Sequence, residues 1–270
     1  MSDGGEGILI RAAWQSGQAL GVKLATIFPG NTELPSVHGV YVLFDGSNGS
    51  PVAIIDGTWL TWFKTSCDSA LAADYLARSD AGHMLMVGAG AMAPHLIKAH
   101  LSVRPSIKDV VIWNRTPERA SELASALAAE LDGVSVSAVT DLESAVGEAD
   151  VISSATMTVD PLIYGDWLQP GTHLDLVGAY TPGMREADDV AIARTRVFVD
   201  SRDTTIGEIG ELIDPIANGT ITEADVLADL YQLCQGSLAG RTSDDEITLF
   251  KNGGGGHLDL MTAQFVMSQL

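Results

Sequence analysis

The stretch Met84-Leu85-Met86-Val87, followed by Gly88-Ala89-Gly90-Ala91-Met92-Ala93, constrains the fold of this chain more than any other. Four apolar residues in a row suit a strand buried on both faces, as in a parallel sheet. The residues behind them are spaced G-x-G-x-x-A, as a strand-to-helix turn must be if a phosphate is to sit on it. Gly88 permits the tight turn, Gly90 lets backbone N–H groups approach, and Ala93 allows the next helix to pack closely on the strand. A glycine-rich turn by itself is common among α/β proteins. Here a strand precedes it, the helix-like run HLIKAHL follows, and a second strand comes about 20 residues on, which is the context a dinucleotide site requires. Gly88, Gly90, Ala91 and Met92 are therefore expected to line the cofactor's pyrophosphate.

The end of the second strand selects the cofactor. An acidic side chain there would hydrogen-bond the ribose 2′-hydroxyl of NAD. This chain instead reads Trp113-Asn114-Arg115-Thr116-Pro117-Glu118-Arg119. Arg115 can lie against the adenine and meet a 2′-phosphate, with Thr116 adding a donor and Arg119 a charge. NADP(H) is expected in preference to NAD(H), and NAD(H) stays open.

Around this loop the pattern alternates strand and helix. HMLMVGAG, DVVIWNR, SVSAVTD, DVISSAT, THLDLVGAY and TRVFVD read as strands, with helical stretches such as RASELASALAAEL between them. Residues 20–65 read as strands and turns. Thr65–Arg78 reads as a helix with Leu71, Ala72, Tyr75 and Leu76 on one face, and Glu223–Gln235 as another helix. EITLFKN is a short strand before Gly253–Gly256, and HLDLMTAQFVMSQL a closing helix. The predicted class is α/β: a Rossmann-type, doubly wound parallel sheet over residues 67–245, inserted into a second α+β domain made of residues 1–66 and 246–270.

A net charge of −20 and a pI of about 4.4 argue against nucleic acid or an anionic membrane as partner. Cys67 and Cys234 are too few for a disulfide framework, and both are expected to be small buried thiols in helices. The start, MSDGGEGILIRAAW, has no apolar h-region, and a reducing cytoplasm is expected. The six histidines show no metal-ligand spacing, so no metal is expected; His38 and His257 are the two placed most plausibly near a site.

The run HGVYVLFDGSNGSPVAIIDGTWLTWFKTSCDSALAADYLARSD ahead of the GAGAMA loop, together with GVKLATIFPGN, VGAYTPGMRE, FVDSRD and EITLFKNGGGGHLDLMTA, resembles the ornithine cyclodeaminase/mu-crystallin family over nearly the whole chain. That family holds ornithine and lysine cyclodeaminases, an alanine dehydrogenase and NAD(P)H-dependent ketimine reductases, typically as homodimers joined through the non-Rossmann domain, which also binds substrate. The resemblance implies that Lys23 lies beside the substrate. It also implies that Lys64, where the family usually has an arginine, grips the substrate carboxylate without that residue's bidentate fork. Asn114, Arg115, Thr116 and Arg119 match positions that contact NADP. Thr156 and Met157 match the loop after the fourth strand, Val177 the turn near the nicotinamide, and Lys251 and Asn252 a segment close to the cofactor. A segment that usually precedes GVK, with another carboxylate-binding arginine, has no counterpart here, and the resemblance predicts a weaker hold on acids.

Where the cyclodeaminases place a catalytic aspartate, this chain has Tyr180. Cyclodeamination needs a carboxylate near the amine to accept and return protons, which a phenol does badly. Reducing a cyclic imine needs only cations for the carboxylate and a shielded hydride path. The expected activity is therefore reduction of a cyclic ketimine carboxylate, delta-1-pyrroline-2-carboxylate to L-proline or delta-1-piperideine-2-carboxylate to L-pipecolate. Lys23, Lys64 and Tyr180 are the expected catalytic-site residues. An ornithine cyclodeaminase, an alanine-dehydrogenase-like enzyme and a non-catalytic NADPH-binding protein are the alternatives. Asp175 is expected to be structural, and Asp259 a helix N-terminal carboxylate.

Overall fold

The computed structural model of the chain describes residues 5–31 and 33–270. It divides into two compact units, Met1–Lys64 with Gly254–Leu270, and Thr65–Gly253.

The smaller unit is an antiparallel sheet with one helix on it. Strands β1 (Gly7–Gln15), β2 (Ala19–Ile27), β3 (Val37–Asp45) and β4 (Pro51–Asp56) pair in sequence order. The β1–β2 hairpin turns at Gly17 (φ +74°), and the β3–β4 turn is held by Asp45, whose carboxylate accepts from the N–H and hydroxyl of Ser47. Strand alternation sorts the side chains onto two faces. On the inner face Tyr41, Leu43 and Ala19 pack with Leu60, and with Leu260 and Ala263 of the closing helix. The outer face carries Ile8, Ile10, Trp14, Leu24, Val52 and Ile54, all exposed. His38 pairs with Thr26 on that outer face and is exposed, so the expectation that it lies near the site is corrected: Lys23 points the other way.

The larger unit holds eight strands in the order β11-β10-β12-β9-β8-β5-β6-β7, every pair parallel. They are β5 (His83–Val87), β6 (Asp109–Trp113), β7 (Ser135–Val139), β8 (Val151–Ser154), β9 (His173–Leu176), β10 (Arg196–Val199), β11 (Val226–Asp229) and β12 (Thr248–Lys251). The helices run, in chain order, as α1 (Gly57–Leu76), α2 (Ala93–Val103), α3 (Pro117–Glu130), α4 (Leu142–Glu148), α5 (Asp189–Arg194), α6 (Arg202–Thr205), α7 (Gly210–Ala217) and α8 (Leu230–Cys234), with α9 (Gly256–Ser268) closing the smaller unit. Leu85 and Val87 of β5 point into one apolar layer with Ile152, Leu174 and Leu249. Met84 and Met86 point into the opposite layer with Leu96 and Ile97 of α2. This two-sided burial is what the unbroken apolar run of β5 predicts.

Four expectations are corrected. EITLFKN lies inside the parallel sheet between β9 and β10, so the return to the smaller unit falls at residue 254 rather than 246, and the outward boundary at 64 rather than 66. Glu223–Gln235 is not one helix. Paired acceptors at Thr222–Asp225 and Asp229–Gln232 cap two short turns and leave β11 between them. On α1 the buried stripe is Ala72, Ala73 and Leu76, while Leu71 and Tyr75 are exposed. Cys67 falls in line with those two, one helical turn apart each, so it and Cys234 are exposed thiols rather than buried ones. Among the described residues no helix is long and apolar enough to cross a membrane.

Candidate active site

In the larger unit the expected cofactor residues gather at the carboxyl ends of β5, β6, β8, β9 and β12, where an open parallel sheet binds its ligand. Gly88 has φ +105°, and a Cβ on it would lie 2.8 Å from the carbonyl oxygen of Ala155. A Cβ on Gly90 would meet nothing within 4 Å: this glycine borders open space. The cleft there, about 280 Å³, is lined by Gly88, Gly90, Asn114, Arg115, Arg119, Thr156 and Met157 among others. Its glycine floor, open helix end and two exposed guanidinium groups fit a dinucleotide.

Not every expected residue faces that cleft. Asn114, which lines it, also braces it, accepting from the Ala89 N–H at 3.1 Å and donating to the Thr116 carbonyl at 2.9 Å. Ala91 and Thr116 are exposed beside it and Met92 half-buried. Lys251 is fully buried, with Nζ donating to the Leu176 carbonyl at 2.8 Å, so it supports the turn at Val177 from beneath. Asn252 is also buried. Its amide donates to Thr65 O and to Ser69 Oγ, and Ser69 in turn donates to Asp175. Asp175 further accepts from His100 Nε2 and Ser153 Oγ, a structural place for this carboxylate. Tyr180, 42% exposed, follows β9 in this unit.

The smaller unit brings Lys23 and Lys64 together with residues the sequence did not mark. The register sets Arg11 of β1 opposite Lys23 of β2, and Lys23 opposite Tyr41 of β3, in one row across the inner face. Lys23 is 4% exposed; its Nζ donates to Asp259 Oδ1 at 2.9 Å and to Thr61 Oγ1 at 3.3 Å. Lys64 is 5% exposed. A Cβ on Gly254 (φ +68°) would lie 2.7 Å from Lys64 Nζ and 3.4 Å from Arg11 Nη1, so both cations end at the same point. His257 lies against them: burial, then Lys64, pushes its imidazole pKa down. Burial, with the charges of Lys64 and Arg11, brings Lys23 down to about 8 against the pull of Asp259. Lys23–Asp259 is the one ion pair of the cluster among the described residues, which leaves positive charge in surplus. Asp259 Oδ2 and the Tyr41 hydroxyl are buried beside it without a hydrogen-bond partner among the described residues.

Such a surplus of buried cationic donors is suited chemically to an anion such as a carboxylate. Alternation in GILIRAAW would have pointed Arg11 outward, because Ile8, Ile10 and Trp14 form the more apolar parity; in the structure that parity is the exposed one and Arg11 shares the half-buried side with Leu9 and Ala13. Asp259, expected only as a helix N-terminal carboxylate, is in the first turn of α9 but fully buried as the partner of Lys23.

Residues 6–270 match the ornithine cyclodeaminase/mu-crystallin family. A Delta(1)-pyrroline-2-carboxylate reductase of Paracoccus denitrificans is 49% identical over 263 residues, covering 96% of this chain and 82% of that protein. The solved Thermococcus litoralis Delta(1)-pyrroline-2-carboxylate reductase, in complex with NADH and L-proline, is similar with a TM-score of 0.89 and 29% identity, covering 99% of this chain and 88% of that one. An archaeal alanine dehydrogenase dimer with bound NAD gives 0.86 and 26%, covering 97% and 85%. The chain belongs to the ornithine cyclodeaminase/mu-crystallin family.

Proposed function

We propose that the protein is an NAD(P)H-dependent reductase of cyclic ketimine carboxylates, taking delta-1-pyrroline-2-carboxylate to L-proline, with delta-1-piperideine-2-carboxylate next in preference. The observation that carries this is the cation surplus of Arg11, Lys23 and Lys64 around a single paired carboxylate, in a chain that also holds a dinucleotide cradle. A reduced nicotinamide, when bound, supplies the hydride. Arg11 and Lys64 hold the substrate carboxylate, Arg11 providing the guanidinium fork that Lys64 lacks. Lys23, protonated below about pH 8, adds a third positive contact and a proton for the ring nitrogen. Tyr180 shapes the pocket. The reading is supported by relatives that carry this activity in their names, and by the tyrosine where a cyclodeaminase would need an aspartate.

NADP(H) is preferred, through Arg115 and Arg119 at the rim of the cleft. The partner is a second copy of the chain, seated on the apolar outer face of the β1–β4 sheet, since Ile8, Ile10 and Trp14 on β1, Leu24 on β2 and Ile54 on β4 share that face and need a cover. Two exposed thiols suit a reducing cytoplasm.

The test is NADPH and NADH oxidation with both imines, run beside ammonia release from ornithine. Imine-dependent oxidation without ammonia release is expected, and Arg115→Ala should cut the NADPH-over-NADH preference by about tenfold. Ammonia from ornithine with catalytic NAD(P)+ and no imine turnover would overturn the reading.

A further inference from the structure

Behind the cleft stands a carboxylate that the chemistry above leaves unused. Glu186 is fully buried and takes part in no ion pair among the described residues. Its Oε1 accepts from Ser154 Oγ at 2.7 Å and from both the N–H and the Oγ1 of Thr156 at 2.8 Å. Its Oε2 accepts from the N–H groups of Gly178 at 2.6 Å and Ala179 at 3.2 Å. Five donors to two oxygens compensate a buried charge without a counter-ion. All five come from the carboxyl ends of β8 and β9, on the cofactor side of the sheet.

The loops so joined touch backbone to backbone. A Cβ on Gly178 would lie 2.0 Å from Thr156 O, and the neighbouring Ala155 carbonyl stands 2.8 Å from where Gly88 would carry its own. The glycine turn, the Thr156 loop and the Gly178 turn are therefore stacked, and Glu186 fixes the second to the third. Glu186 is itself held from behind. Glu211, also buried, accepts from the N–H groups of Glu186 and Ala187, each at 2.9 Å.

We propose that Glu186 is a positioning residue for cofactor binding: it ties the Thr156 loop to the Gly178 turn and so sets the shape that the cleft offers to the nicotinamide end of the dinucleotide. This rests on the reading of the cleft as a dinucleotide site. A carboxylate is required because both oxygens must accept. In Glu186→Gln one of the two becomes an NH2 group facing N–H or O–H donors, and one loop must let go.

The experiment measures dinucleotide dissociation constants by energy transfer from tryptophan to reduced nicotinamide, with KM for the imine, kcat and the unfolding midpoint, for wild type and Glu186→Gln. The expected result is cofactor binding weakened about tenfold or more, with KM for the imine within about threefold. Cofactor binding within about twofold of wild type, whatever happens to the midpoint, overturns the proposal and leaves Glu186 a structural residue. Should the amide variant not fold, Ser154→Ala decides: it removes one bond to Oε1 at a buried position and keeps the charge. About threefold weaker cofactor binding is then expected, and an unchanged constant overturns the proposal. A wild-type protein that binds dinucleotide but reduces neither imine would sink the proposed activity and leave this test standing.

Discussion

The dinucleotide cradle of residues 65–253 is made by leaving atoms out, whereas the cation cluster of the smaller unit is made by crowding charges in. Gly88 and Gly178 bring backbone against backbone, Gly90 leaves the cleft open, and the ionic groups at its rim among the described residues are exposed. Arg11, Lys23 and Lys64 instead converge as side chains from two strands and a helix, two of them almost wholly buried. The two regions should fail in opposite ways: the cradle when atoms are added, the cluster when charge is removed. The largest effect is expected at Gly88→Val. The residue needs φ +105° and has a carbonyl oxygen 2.8 Å from its Cβ position. Dinucleotide affinity should fall about a hundredfold or more, with little change in any anion affinity of the smaller unit. A Gly88→Val protein that still binds NAD(P)H within about threefold would break the comparison.

Next comes deletion of charge from the cluster. Arg11→Ala should lower kcat/KM for the imine by about tenfold to a hundredfold, one charge-assisted contact, while leaving the dinucleotide constant unchanged. Arg11→Lys should recover only part of the loss, because the planar fork goes with the guanidinium. Equal activity in Arg11→Ala and wild type would remove Arg11 from the carboxylate site.

The same contrast decides what could be read in the sequence. The cradle was legible because its determinants are local: a turn needs its glycines at fixed spacing, next to a buried strand. Lys23 and Lys64 came from resemblance, and the row that gives them meaning did not. Arg11 and Lys23 are opposite only once the β1–β2 register is fixed, and Asp259 reaches Lys23 across 236 residues of chain. Glu186 was hidden for the same reason, since its five donors lie on two other loops. The misreading of β11 was of another kind. Glu223–Gln235 has helix-forming composition, but Thr222 with Asp225 and Asp229 with Gln232 close a short turn on either side of β11, and the parallel edge beside β10 takes the residues between.

The smallest effect is a shift rather than a loss, and it tests how the crowded charges act on one another. Lys23 is held at about pH 8 by opposing influences: burial, Lys64 and Arg11 lower its pKa, and the charge and hydrogen bond of Asp259 raise it. If protonated Lys23 serves the reaction, kcat/KM for the imine falls as pH rises through about 8. Asp259→Asn deletes what raises the pKa and keeps what lowers it, so the alkaline fall should move to lower pH. Lys64→Met deletes a lowering charge, and in that variant the fall should move to higher pH, on top of its weaker carboxylate binding. The substrate imine titrates too, but identically against every variant, so the displacement between profiles belongs to the protein. Opposite displacements in the two variants fix Lys23 as the titrating group within a mutually repelling cluster. Profiles that superpose would show that the cluster, for all its proximity, holds the carboxylate without Lys23 passing a proton.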